Sequence, residues 1–225
     1  QITDVNGVQL ARSVAATTIV VDQTEISDPL TTAQVTSPIL GLPVNELQQL
    51  YTGNLLYKKI LVNAKPEVWL NLQQTIANYN KEVMKIKGGI SKRIVGFFSE
   101  RSYVRDYPTG KLASSLIGFI NSEGSGASGI ESSMNSTLSG VNGEYLYENG
   151  AGNITPGSAR VRTAAKDGTG VTLTIDRDIQ WVAQSAISDA VKKSNAKSGT
   201  VIVMDPKTGA ILAQASAPTF DPANP

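Results

Sequence analysis

The sequence predicts an α+β fold in two parts, an elongated and irregular domain over residues 1–165 and an incomplete α/β piece over residues 166–225. Three observations carry this expectation. Extended, β-branched stretches with turn signals open the chain, and long amphipathic stripes at helical spacing follow them. A Gly-rich passage of low hydrophobicity, Gly150 to Gly170, then separates a motif-rich middle from a cleaner strand, helix and hairpin pattern.

Taken in order, residues 2–22 read as a hairpin, with Asn6-Gly7 as the turn signal and Thr17 to Asp22 as a β-branched run. Asn45 is placed to cap a helix carrying Leu47 and Leu50. A longer helix opens at Pro66, because proline suits the first helical turn. Its stripe of Val68, Leu72, Ile76, Tyr79 and Val83 faces a core and ends near Gly88-Gly89. A strand is expected at 94–98. Seven glycines between Gly110 and Gly143 then break the chain into short helices at 111–118 and 129–138. Val171 to Ile175 reads as a strand and Asp176 as a helix cap. Ile179, Val182, Ala183, Ala186, Ile187, Ala190 and Val191 make one amphipathic face. Thr200 to Met204 and Ala210 to Ala215 are strands around a turn, Asp205-Pro206-Lys207-Thr208-Gly209. One helix on two strands leaves a face bare, so residues 171–217 are expected to be disordered, to self-associate or to dock another chain.

Composition excludes more than it selects. Twenty Lys+Arg against 19 Asp+Glu leave no net field to attract nucleic acid. The local run Lys81, Lys85, Lys87, Lys92 and Arg93 reads as a solvated helix end and loop. The chain has no Cys and no His, so His-dependent triads, thiol nucleophiles and His- or Cys-ligated zinc are out. No cofactor or metal site is expected. No run of eighteen apolar residues and no signal-peptide pattern occurs, so any membrane anchor is expected upstream of Gln1.

Three short matches invite a catalytic reading and fail on context. Lys207-Thr208-Gly209 sits in a hairpin bend, where turn chemistry accounts for it. Ser194-Asn195-Ala196-Lys197 matches S-x-x-K, but Ser194 falls at the polar exit of a helix instead of a buried helix start. Ser133-Met134-Asn135 matches S-x-N in the wrong order. Gly126-Ala127-Ser128-Gly129-Ile130-Glu131 lacks the end of a phosphate loop. Its glycines suit a turn with close backbone approach, which leaves Glu131 in a first helical turn. Arg101 is the expected partner, its planar guanidinium bracing that carboxylate.

In order, these segments resemble class B penicillin-binding proteins of the cell-division type. Ile2-Thr3-Asp4-Val5-Asn6-Gly7 with Leu10-Ala11 is similar to the family's I-x-D-R-N-G-x-x-L-A segment, with Val5 where arginine is usual. Arg101 with Tyr107-Pro108-Thr109-Gly110 resembles the R-x-Y-P-x-G box, and either Arg101 or Arg105 can be the equivalent arginine. Gly126, Gly129 and Glu131 fit G-x-x-G-x-E. Asp176 and Gln180, with Leu173-Thr174-Ile175 before them, resemble the entry to the transpeptidase domain, and Gly199 to Pro218 with Phe220-Asp221-Pro222 is the most specific piece.

The resemblance implies a pedestal (dimerisation) domain over 1–165 and the first elements of a penicillin-binding transpeptidase (β-lactamase-like) fold over 166–225. That fold's catalytic serine is expected downstream, so no catalytic residue is assigned. It also implies a noncatalytic, positioning and partner-binding segment of a peptidoglycan transpeptidase. The partners implied are stem peptides and β-lactams through the catalytic part, a cell-wall polymerase and division proteins, and a second copy. The expected location is the outer face of the bacterial plasma membrane. The alternative is the pedestal of a pseudo-enzyme or sensor without transpeptidase activity.

Overall fold

The structure, a computed structural model, describes residues 1–146, 149–150, 153–154 and 160–225. Its first half comprises β1 (Ile2–Thr3), β2 (Gln9–Val21), α1 (Pro29–Leu40), α2 (Val44–Tyr51), β3 (Lys58–Ala64), α3 (Pro66–Val83) and β4 (Phe97–Asp106). There follow α4 (Ser114–Ile117), α5 (Gly129–Ser133), α6 (Asn135–Leu138) and four short strands, β5 (Glu144–Leu146), β6 (Asn149–Gly150), β7 (Asn153–Ile154) and β8 (Arg160–Thr163). The chain closes with β9 (Val171–Thr172), α7 (Arg177–Ser194), β10 (Gly199–Met204) and β11 (Ile211–Ala217). The mixture is α+β, as the sequence predicts.

Two compact units divide these elements. Val14–Val104 forms an inserted unit, and Gln1–Ser13 with Arg105–Pro225 forms a framing unit. In the inserted unit β2 pairs antiparallel with β3, matching Thr17 with Ala64 and Ile19 with Leu61. Three helices complete its core, in which Ile19, Val21, Leu47, Tyr51 and Leu72 are fully buried. The sequence reading did not find α1. Asp28 caps it by accepting from Thr31 N at 3.0 Å, and Pro29 occupies its first turn. Helix α3 starts at Pro66 and buries Leu72 and Val83, but it stops at Val83 instead of near Gly88-Gly89. Strand β4 begins later than the expected 94–98. The Asn80 amide holds the Ile94 backbone, donating to its carbonyl at 2.8 Å and accepting from its N–H at 2.8 Å. That side chain occupies both groups a strand partner would need.

In the framing unit β1 pairs antiparallel with the start of β2, Ile2 opposite Ala11, and parallel with β9, Ile2 opposite Val171. The expected strand at 171–175 pairs with β1 only over Val171–Thr172, because Thr174 and Asp176 turn to β11 through Ile211 O and Leu212 O. The single helix expected at 129–138 is two, α5 and α6, separated by Met134 at φ −108, ψ 16. The one expected at 111–118 is only α4, after a turn. Strands β5 with β8 and β6 with β7 form small pairs, and part of the Gly150–Gly170 passage lies outside the described residues. Ile2, Leu10, Ala11, Tyr107, Ala113 and Ile117 form one core. A second lies between α7 and the β10–β11 hairpin, where Ala183 meets Ala213 and Ala215. The opposite face of that hairpin leaves Ile202 and Met204 exposed. Residues 171–217 are regular and hydrogen-bonded, which overturns the expectation of disorder there. Among the described residues no helix is long and apolar enough to cross a membrane.

Candidate functional site

The expected brace on Glu131 exists with a different arginine. Arg105 Nε donates to Glu131 Oε1 at 2.7 Å, and Arg105 Nη1 reaches Ser13 Oγ at 3.1 Å. Both charged side chains are almost wholly buried, 9% and 4% exposed. Arg101 is exposed and belongs to the inserted unit, so its assignment as the Glu131 partner is corrected to Arg105. Its place four residues earlier on the same strand face explains the confusion, since alternate strand residues share a side. Sequence spacing could not choose between them.

Glycine geometry seats the carboxylate. A Cβ on Gly126 would meet Glu131 O at 1.9 Å, and one on Gly129, at φ +59, would meet Leu116 O at 2.5 Å. Both positions therefore need glycine for the α5 backbone to approach its neighbours this closely. Tyr107, Pro108 and Gly110 form the adjoining turn, which Gly110 N closes on Tyr107 O at 2.9 Å. Tyr107 is buried, and its phenol is pushed up to about 12, first by burial and then by the Glu131 charge. Among the described residues the buried Arg105 Nη2, Tyr107 Oη and Thr109 Oγ1 have no hydrogen-bond partner.

A second network ties the first turn of the chain to α7. Asp4 is fully buried and accepts from Asn6 N at 2.9 Å, Val8 N at 2.7 Å and Arg177 N at 3.1 Å. Asp176 caps α7 by accepting from Asp178 N and Ile179 N, and also accepts from Asn6 Nδ2 at 2.9 Å. These bonds, that of Ile179 first and that of Asn6 second, hold the Asp176 carboxyl below its usual range. Asp4 and Asn6 were not singled out as site residues. Their position just ahead of Gly7 is a local turn signal, but the bonds to residues 176 and 177 are invisible at that range.

On α7 two glutamines one turn apart each engage backbone at two points. Gln180, fully buried, accepts from Gln214 N at 2.8 Å and donates to Gln214 O at 2.9 Å. Gln184 accepts from Ala113 N at 3.0 Å and donates to Lys111 O at 3.1 Å. Gln184 was missed, although a polar residue at i+4 from Gln180 is the signal that could have found it.

The catalytic-looking triplets are occupied structurally. Ser194 Oγ donates to Ala190 O at 2.7 Å within its own helix. In the hairpin turn Asp205 accepts from Lys207 N at 2.9 Å and from Thr208 Oγ1 at 2.9 Å. Ser133 ends α5. A shallow cleft of about 320 Å³ lies beside α7, lined by Leu112, Trp181, Ser188, Asp189 and Pro218 among others. Among the described residues no group of three acidic side chains is placed to hold a metal ion.

The family described as the penicillin-binding protein dimerisation domain matches residues 1–173. Penicillin-binding protein PbpB of Mycolicibacterium smegmatis is 41% identical over 138 residues, covering 61% of this chain and 21% of that protein. The probable peptidoglycan D,D-transpeptidase PenA of Neisseria meningitidis is 31% identical over 228 residues, covering 100% of this chain and 36% of that protein. Among solved structures, penicillin-binding protein 2X of Streptococcus thermophilus has the same fold, with a TM-score of 0.71 at 23% identity over 99% of this chain and 34% of that one. A peptidoglycan synthetase from Bifidobacterium adolescentis gives 0.60 at 28% identity, covering 98% of this chain and 42% of that one. The chain thus spans about a third or less of the length of the curated relatives it matches.

Proposed function

The chain belongs to the penicillin-binding protein dimerisation-domain family, and on that premise we propose that it is the noncatalytic, positioning and partner-binding segment of a peptidoglycan transpeptidase. The observation that supports this most directly is how its buried polar groups are used. Buried Glu131, Asp4 and Gln180 are bonded to Arg105 or to backbone, and half-buried Asp176 caps α7. A reaction centre keeps a nucleophile and a base free to face substrate. A brace does not.

The division proposed is a pedestal over 1–165, followed over 166–225 by the opening elements of the transpeptidase domain. It follows the order of the motifs and differs from the division into compact units. In the Arg105–Glu131 pair the second box meets the third, while Asp4 and Asn6 fasten the first turn to the start of α7. Strain on one segment is thereby resisted by the others, which suits a support for a catalytic domain. Stem peptides and β-lactams are proposed to engage the catalytic part of the whole protein, outside the bacterial plasma membrane. A cell-wall polymerase and division proteins are proposed to meet the pedestal, and a second copy is proposed as a further partner, in line with the family's description as a dimerisation domain.

Fluorescent penicillin tests the reading, applied to this chain and to a form carrying a following transpeptidase sequence. Label on the longer form alone is the expected result. Label on this chain that disappears in Ser194→Ala would overturn the proposal, and no label on either folded form would favour a pseudo-enzyme.

A further inference from the structure

Strand β11 presents an outer edge that natural sheets have reason to defend. Its sequence, Ile211–Ala217, contains no charged residue and no proline, the usual blocks to edge-to-edge pairing. Strand β3 shows the ordinary defence, with Lys58 and Lys59 along it and Asn63 at φ 58 breaking its regularity. Nothing of that kind protects β11.

What occupies its edge is α7 and the segment before it. In an antiparallel pair the backbone groups of alternate residues point toward the partner and away from it. Gln214 stands opposite Ile202 of β10, and both its N–H and its carbonyl are taken by the Gln180 side chain, at 2.8 and 2.9 Å. Gln214 is therefore an outward-facing residue, and the primary amide reproduces the donor and acceptor pair that another strand would offer. Two residues earlier, Leu212 O accepts from Asp176 N at 2.9 Å. Consecutive outward positions are thus occupied, and Gln180, fully buried, is the only side chain doing this at Gln214 among the described residues.

We propose that Gln180 closes the outer edge of β11 against strand addition by a second copy of this chain. Without the amide, two uncharged β11 edges are free to pair across copies. Gln184 supplies a matched control, because it also makes two amide–backbone bonds from the same helix, but to Lys111 and Ala113 and not to a strand edge. The inference does not depend on the proposed role of the whole protein.

The test compares the chain with Gln180→Met and Gln184→Met, methionine keeping the side chain's length while removing its polar end. Sedimentation is followed over a range of concentrations, with circular dichroism to verify folding. Gln180→Met is expected to self-associate at a concentration at least about tenfold lower than either the unsubstituted chain or Gln184→Met. Adding Gln214→Pro, which removes the outward N–H without touching the β10 ladder, is expected to abolish that gain. The proposal is overturned if Gln180→Met associates no more than Gln184→Met, or if its association survives Gln214→Pro. Should Gln180→Met fail to fold, hydrogen exchange in the unsubstituted chain decides. The Gln214 amide is expected to be protected as strongly as that of Ala213, and exchange at the rate of an open edge would refute the closure.

Discussion

The inserted and framing units reach stability by different routes. In residues 14–104 a single apolar cluster gathers strands and helices, and its buried polar groups are answered: Tyr51 Oη meets Thr36 Oγ1 at 2.8 Å, and Gln23 bonds to Leu50 O and Leu55 N. The framing unit divides its apolar residues between two smaller clusters and relies on buried charges and amides. Among the described residues, the three orphaned buried polar atoms lie there, between Arg105 and Thr109. An apolar core tolerates substitution in proportion to the volume lost, whereas a polar brace fails according to which partner is left unpaired. The framing unit also holds Asp4, Tyr107, Gly126, Gly129, Glu131, Asp176 and Gln180.

The sharpest break of this comparison comes from Glu131→Ala. Leaving Arg105 buried without a carboxylate is expected to cost about 3–5 kcal/mol in a denaturant titration. Leu47→Ala, in the core of the inserted unit, is expected to cost about 3 kcal/mol through lost burial and the cavity left behind. A loss from Glu131→Ala well below that of Leu47→Ala would erase the distinction. Asp176→Ala removes a helix cap and is expected to cost about 1 kcal/mol. The smallest pair is the most discriminating. Tyr51→Phe should cost about 1 kcal/mol by removing a buried bond to Thr36, whose hydroxyl keeps its bond to Thr32 O, whereas Tyr107→Phe should cost less because its hydroxyl makes no hydrogen bond of good geometry.

Alkaline pH probes both units at once. Tyr51 and Tyr107 are each pushed from 10.0 to about 12, chiefly by burial. A folded pKa above the unfolded one gives a contribution fully present below pH 10 and lost as pH rises from 10 through 12. Stability followed by fluorescence is therefore expected to be flat with respect to these groups up to about pH 10 and to fall above it. Tyr107→Phe should shallow that fall while lowering the plateau less than Tyr51→Phe does.

Sequence periodicity revealed α2, α3, α7 and the β10–β11 hairpin because each rests on local pattern, cap or turn chemistry, although Pro43 and not the expected Asn45 precedes α2, and Asn45 lies within the helix. It missed α1, whose Thr31, Thr32 and Thr36 blur the apolar stripe and whose interior Pro38 argues against a helix, although Asp28-Pro29 marks its start. It missed β3, whose Lys58, Lys59 and Asn63 resemble loop composition. Within the site, box residues such as Glu131 and Gln180 were identifiable one by one. Their partners were not, because Arg105 with Glu131, Asp4 with Arg177 and Gln180 with Gln214 are bonds across 26 to 173 positions of chain. No local spacing rule reaches that far.

A double-mutant cycle on the buried pair tests the central claim most directly, using Arg105→Met, Glu131→Leu and the double variant, with Arg101→Ala as a control. The brace predicts that each single substitution at the pair costs about 3–5 kcal/mol and that the double variant recovers most of one loss, an interaction energy above about 2 kcal/mol. Arg101→Ala should be nearly neutral. Additive losses at Arg105 and Glu131, or a cost at Arg101 equal to that at Arg105, would contradict it.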